Sequence, residues 1–193
     1  MTGTDLNPAG ANVDSRTLDR LIREAKKGNV GSYEAIYRIY ARKILNFIFR
    51  MVHSREEAED LTQETFVAVY QKLKTLEDNS RFEPWLFRIA RNFVYQKYRT
   101  RPPVTISMDA EDEAGRAVPQ VADSRKNPDE AFQSWELEAV AAGAIAALPE
   151  KYREVFVLSA LQGLSYQQVS EIVGRSLPSV KTDIHRARLQ VRQ

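Results

Sequence analysis

A chain of 193 residues with 43% hydrophobic side chains is long enough for one ordinary domain or two small ones with real cores. Its 28 Lys and Arg against 26 Asp and Glu leave a net charge of only +2, which excludes a uniformly basic nucleic-acid coat and sends any electrostatic partner to local patches. No cysteine is present, so disulfides, thiolate metal sites and cysteine nucleophiles are excluded.

Residues 1–16 are rich in Gly, Asn, Thr and Pro and have little to bury, which predicts a flexible tail. They lack the basic start and apolar centre of a signal peptide, and no apolar run approaches the roughly 20 residues of a membrane span. A soluble cytoplasmic protein with no membrane insertion of its own is expected.

Order is predicted to begin near Thr17, where Leu18, Leu21, Ile22 and Ala25 recur at helical spacing until Lys26, Lys27, Gly28 and Asn29 break the helix. A second helix carries a wide apolar stripe of Tyr33, Ile36, Tyr37, Tyr40, Ile44, Phe47, Ile48 and Met51, read as core. Ser54 with Glu57 forms a capping-box pattern opening a third helix through Leu61, Phe66, Val69, Leu73 and Leu76. After the polar loop Glu77 to Ser80, Glu83-Pro84 fits the start of a fourth helix with Trp85, Leu86, Ile89, Ala90 and Phe93 on its apolar face. That helix must end before Arg101-Pro102-Pro103, because two prolines cannot continue it. The first domain is therefore placed at 17–101.

Residues 102–131 hold Pro119, Pro128, Gly115 and most of an acidic excess without sustained period, and are predicted to be a flexible acidic linker. A second domain, 132–193, begins with Phe132, Trp135, Leu137, Ala139, Val140, Ala144 and Ala147 at helical spacing. Pro149 restarts the helix for Tyr152, Val155, Phe156, Leu158 and Leu161.

From Gly163 onward two short helices meet at a tight turn. Ser165 with Gln168 is a second capping box, Gly174 supplies a left-handed helix end, and Ser176 is placed to cap a following helix that tolerates Pro178 in its first turn. This last helix is expected to bury Val180, Ile184 and Leu189. Its other faces carry Ser179, Lys181, Thr182, His185, Arg186 and Arg188, groups that hold phosphates and reach base edges in a major groove. The pattern is a helix-turn-helix, although a solvated basic face on a small helical domain has the same charges. No strand pattern occurs, so the fold class is all-α: two small helical domains joined by a flexible acidic linker.

Local charge divides the chain by partner. Arg81, Arg88, Arg91, Lys97, Arg99 and Arg101 stand against Glu83 alone, whereas nine acids between Asp109 and Glu138 face only Arg116, Arg125 and Lys126. Glu56, Asp60 and Glu64 lie on one helical face. Neither His53 nor His185 has a Glu three residues earlier, so di-metal bundle spacing is missing. Glycine-rich phosphate loops, nucleophile elbows and zinc motifs are also missing, which leaves no catalytic residue, metal site or cofactor to assign and argues against an enzyme.

Three blocks in order, Asp60-Leu61-Thr62-Gln63-Glu64-Thr65-Phe66, then Phe82 to Asn92, then Leu148 to Arg153 with Gly163 to Tyr166 and Val180 to Arg188, resemble bacterial RNA polymerase sigma factors of the extracytoplasmic-function (ECF) class. The resemblance covers nearly the whole chain. It implies a protein that binds core RNA polymerase, recognises the −10 and −35 promoter elements and stabilises DNA opening. Asp60, Gln63, Glu64 and Phe66 would then contact the clamp helices of the largest polymerase subunit, with the flap as a further core contact; the plainer reading keeps Phe66 in the core.

By the same resemblance, Asp78, Asn79, Ser80, Arg81, Arg88, Arg91, Asn92 and Tyr95 would hold the downstream element as it opens. Cations there steady the phosphates and the loop traps an unstacked base. Trp85 reads either as core or as a stacking platform. Ser179, Lys181, Thr182, His185, Arg186 and Arg188 would face the upstream element as duplex. Asp183 stands where relatives usually carry a basic residue; a carboxylate there repels phosphate but can accept from a cytosine amino group or bridge to a nearby Arg, so either local specificity or the phosphate contact is altered, and Pro178, where relatives often have glycine, alters the first turn in the same way. An anti-sigma protein that covers both domains and holds the factor inactive is implied as regulator, and the membrane is one place where such a protein could hold it. The alternatives are a helix-turn-helix repressor or activator binding duplex operators without polymerase, and an interaction protein without base readout.

Overall fold

The computed structural model describes residues 14–100 and 142–192, and every regular element among them is helical. The predicted linker, the helix expected at Phe132 to Val140 and the first 13 residues lie outside the described residues. In chain order the helices are α1 (Ser15–Lys26), α2 (Val30–Val52), α3 (Arg55–Lys72), α4 (Phe82–Thr100), α5 (residues 142–146), α6 (Glu150–Phe156), α7 (Tyr166–Val173) and α8 (Leu177–Val191). Short 3-10 turns cover Leu73–Thr75 and Asn79–Arg81, and a π turn at Val157–Leu161 prolongs α6.

Local chemistry sets the boundaries. Asn29 caps α2 by accepting from the Ser32 N–H at 3.0 Å, so the helix starts before the apolar stripe does. Ser54 accepts from the Glu57 N–H at 3.4 Å, while the Glu57 carboxylate sits 3.7 Å from the Lys97 ammonium on α4. The Ser165–Gln168 box is formed in both directions, at 3.2 and 2.8 Å. Gly174 adopts φ +67° beyond α7, the left-handed cap that lets α8 turn away. Ser176 occupies the N-cap position of α8 without a side-chain cap bond, contrary to expectation.

In the first helical group α1 packs on α2, α2 on α3 and α3 on α4. Ile36, Tyr40, Ile44, Phe47, Ile48 and Met51 of α2 are buried against Phe82, Leu86, Phe87 and Ala90 of α4, with Phe47 and Phe87 edge to face at 5.7 Å. Each such side chain contributes about 1.5–3 kcal/mol by leaving water. Tyr37, expected in the core, is 41% exposed, because it lies toward the outer edge of the stripe.

The second group closes around Val155, Val157, Leu158, Val169, Ile172, Val180, Ile184 and Ala187. The buried face of α8 is Val180, Asp183, Ile184 and Ala187; Leu189, expected among them, is 50% exposed because it falls off that stripe. Arg153 ties α5 to α6 by donating to the carbonyls of Ala146 at 2.7 Å and Leu148 at 2.8 Å, acceptors that a helix end otherwise leaves open. The two groups also touch each other. Here α4 packs on α7, α2 packs on α6 and the π turn, and the buried side chains of both groups form one contiguous cluster.

Candidate nucleic-acid interface

The expected site residues fall on three faces. On α3, Asp60, Gln63 and Glu64 are exposed, whereas Phe66 is 4% exposed. Phe66 was expected to contact a partner; instead it packs edge-on against Tyr37 at 4.8 Å, and its carbonyl accepts from the Tyr33 hydroxyl. What stands outward beside the acids is Val67 (58% exposed) and Tyr70 (54%), with Tyr70 edge-on to Tyr33 at 5.0 Å. Gln63, Val67 and Tyr70 follow i, i+4, i+7, the helical spacing by which the sequence itself marks this outer stripe. Burial and the neighbouring Tyr37 and Tyr70 push the Tyr33 phenol up to about 12, so it stays a donor at neutral pH.

The second face is the loop before α4 and the helix itself. Asp78 caps the 3-10 turn by accepting from the Ser80 N–H at 2.9 Å and hydroxyl at 2.7 Å, and these bonds hold its carboxyl below the ordinary range. Asn79 is turned toward α1: it accepts from the Lys26 ammonium at 2.6 Å and donates to Asp19 at 2.8 Å. Its amide therefore anchors the loop and is not a free base-trapping group. Asp78, Ser80, Arg81, Arg88 and Asn92 are exposed, Trp85 is half-buried and packs toward Phe82 at 6.0 Å, and Arg91 lies over the Tyr95 ring at 4.3 Å.

The third face is α8. Lys181, Thr182, His185, Arg186 and Arg188 are exposed and Ser179 is half-buried, all on the side away from Val180, Ile184 and Ala187. Arg186 donates to the Tyr152 hydroxyl at 3.2 Å, which steadies its guanidinium on α6. Asp183 does not belong to this face. It is 2% exposed and accepts from Arg175 at 2.7 Å and Lys151 at 3.2 Å, so its charge is neutralised behind the helix. Arg175 lies in the turn between α7 and α8 and also donates to Glu154 at 3.2 Å.

Glu154, 1% exposed on α6, joins these faces: its other carboxylate oxygen accepts from Arg91 of α4 at 2.6 Å. Burial pushes its carboxyl up, and the Arg91 and Arg175 guanidiniums pull it partly back. Reasoning from one sequence missed Glu154 and Arg175, whose partners lie far along the chain.

Two Sigma-70 families match this chain, region 2 over residues 36–102 and region 4 over residues 141–191. The ECF RNA polymerase sigma factor SigW of Bacillus subtilis (strain 168) is 34% identical over 179 residues, covering 91% of this chain and 95% of the relative. The chain belongs to the ECF RNA polymerase sigma factors. The RNA polymerase sigma-H factor of Pseudomonas aeruginosa is 31% identical over 175 residues, with 88% and 89% of the two chains covered. Two solved structures share the fold: CnrH in complex with the cytosolic domain of CnrY (TM-score 0.65, 23% identity, 91% and 94% covered) and, from Bartonella quintana, the sigma factor RpoE in complex with the anti-sigma factor NepR (0.62, 23%, 82% and 93%). As an ECF sigma factor the protein is an alternative initiation subunit whose partners are core RNA polymerase and promoter DNA. Among the described residues no group of His, Cys, Asp or Glu could hold a metal, and no helix is long and apolar enough to cross a membrane.

Proposed function

We propose that the three faces divide the work of initiation as follows. The ridge of Asp60, Gln63 and Glu64, extended by Val67 and Tyr70, docks on the polymerase clamp helices; acids around exposed apolar groups suit a basic helical partner. Asp78, Ser80 and Arg81 of the loop braced by Asn79, with Arg88, Arg91, Asn92 and Tyr95 of α4, hold the downstream strand as it unpairs. The energy comes from binding, since a protein that grips the open strand more tightly than the duplex shifts the equilibrium toward opening without chemistry of its own. Ser179, Lys181, Thr182, His185, Arg186 and Arg188 read the upstream element in the major groove.

The observation that carries this reading is the polarity of α8: its cations and hydroxyls are exposed on one side, while its single acid, Asp183, is paired inside. In this reading 17–101 is the core-binding and melting domain, 102–131 a linker and 132–193 the upstream-element domain. Catalysis belongs to the polymerase. The factor acts in the cytoplasm under an anti-sigma protein, a reading supported by RpoE in complex with the anti-sigma factor NepR, and is held at a membrane wherever that inhibitor is. Transcription by purified core polymerase from a promoter library tests the whole: specific initiation above core alone is expected, and its absence would sink the proposal.

A further inference from the structure

Helix α1 carries none of the three faces, yet it holds the loop that opens the second. Within residues 77–81 only Asn79 is turned partly inward; Glu77, Asp78, Ser80 and Arg81 are exposed, and the flanking Leu76 and Phe82 are buried. The Asn79 side chain is fixed at both ends by α1. Its carbonyl oxygen accepts from the Lys26 ammonium at 2.6 Å, and its amide nitrogen donates to the Asp19 carboxylate at 2.8 Å. The same ammonium donates to the Leu76 carbonyl, so one cation spans the loop from its start to its middle. Helix α1 also packs on both 3-10 turns, Leu73–Thr75 and Asn79–Arg81.

Opposite charges at the two ends of one amide leave it a single orientation. A flip would set its N–H groups against the ammonium and its oxygen against the carboxylate. Such charge-assisted bonds are about twice as strong as neutral ones. Asp19 and Lys26 stand at i and i+7, about two helical turns apart, which puts both on the face of α1 that meets the loop. A loop held in this way is ordered before any strand arrives, so its affinity is not lowered by the entropy of ordering its own backbone.

We propose that Asp19 and Lys26 are positioning residues for promoter opening: through the Asn79 amide they set the loop that receives the unpaired downstream strand, and α1 is thereby part of the melting machinery. This rests on the reading of that loop and α4 as the strand-binding face. Asn79 acts as a brace and not as a reader of bases. The pair of Asp19 with Arg23 is exposed and contributes little, so the carboxylate is set mainly by the amide it holds.

The test exchanges the two partners in holoenzyme assembled from the full-length factor and core polymerase, on a promoter selected from the library and carrying 2-aminopurine in its downstream element. Asn79→Asp sets a second carboxylate against Asp19 and should lower the open-complex equilibrium about tenfold. Asp19→Asn combined with Asn79→Asp returns a donor and an acceptor to the same places and should restore opening to within about threefold of the original. Lys26→Met keeps the aliphatic stem, removes the ammonium and should lower opening about tenfold. Base preference at the downstream element and binding to upstream duplex should not change in any of them, and thermal melts run alongside separate a loosened loop from an unfolded domain. A loss in Asn79→Asp that the exchange does not recover, with altered base preference, would overturn the proposal, because Asn79 would then read the strand itself. Normal opening in both Asn79→Asp and Lys26→Met would overturn it as well. Asn92→Ala, on α4 and outside the clasp, then shows which reading failed: impaired opening leaves only the clasp wrong, whereas normal opening removes the strand-binding face with it.

Discussion

Arg175 and Asp183 form a 2.7 Å ion pair between the helix-turn-helix turn and the back of the recognition helix, and the carboxylate is 2% exposed. The one acid of α8 therefore fixes how the helix is presented and does not touch its target. Removing one partner of such a pair strands the other charge, at a cost of about 3–5 kcal/mol. Asp183→Ala should lower the melting temperature by roughly 10 °C or more, since each kcal/mol is worth several degrees in a domain of this size. Promoter preference, measured below the melt, should be unchanged. A variant of undiminished stability with altered base preference would place this carboxylate on DNA.

Much of the fold could be read from local signals, because caps and periodicity act within one turn of helix. The Ser165–Gln168 box and Gly174 stand where the pattern put them. Asp183 was legible in part: a bridge to a nearby arginine was one of its two expected uses, and Val180, Asp183, Ile184 and Ala187 share one helical stripe, so spacing assigns the acid to the inside, where Arg175 meets it. Phe66 carried two readings, partner contact and core, and its motif position could not decide between them; its ring is 4% exposed. The pairing of Arg91 with Glu154 and of Arg81 with Glu171 could not be read, because nothing in one sequence specifies which distant charges meet.

The exposed cations of α8 should behave as phosphate ligands. Lys181→Ala should weaken promoter binding at all sequences alike and lower the slope of log affinity against log salt by about 0.9, the value for one phosphate contact on duplex DNA. Arg186→Ala should do the same and, through loss of the Tyr152 bond, loosen the α6–α8 junction slightly. Titrations between roughly 50 and 200 mM salt read both effects. Unaltered slopes in both variants would mean that this helix faces elsewhere.

On α3 the prediction separates docking from packing. Asp60→Lys and Tyr70→Ala change exposed groups and should weaken binding to core polymerase about tenfold each, or about 1.4 kcal/mol, with unchanged melting. Phe66→Ala removes a buried ring and should cost about 3–5 kcal/mol of stability. Competition for core against a labelled sigma factor, run beside thermal melts, distinguishes them. If Phe66→Ala melts normally and fails only in competition, the ring is an interface group after all.

Acid should loosen the contact between the two groups. His53 ends α2 in the left-handed conformation, φ 61°, and its Nε2 lies 2.6 Å from the Arg153 guanidinium of α6. Burial, then the charges of Arg153 and Arg50, hold its imidazole below the ordinary value. A lowered folded-state value means that the separated or unfolded chain binds the proton more readily, so stability is full above the unpaired value of about 6.5 and falls as pH drops through it. The radius of gyration should therefore grow, and the melting temperature fall, between about pH 7.5 and 5.5. His53→Asn is the informative variant, because asparagine tolerates the left-handed backbone and cannot titrate. It should keep the closed packing at neutral pH and flatten the response across that window; an equally steep response would assign the acid sensitivity to other groups.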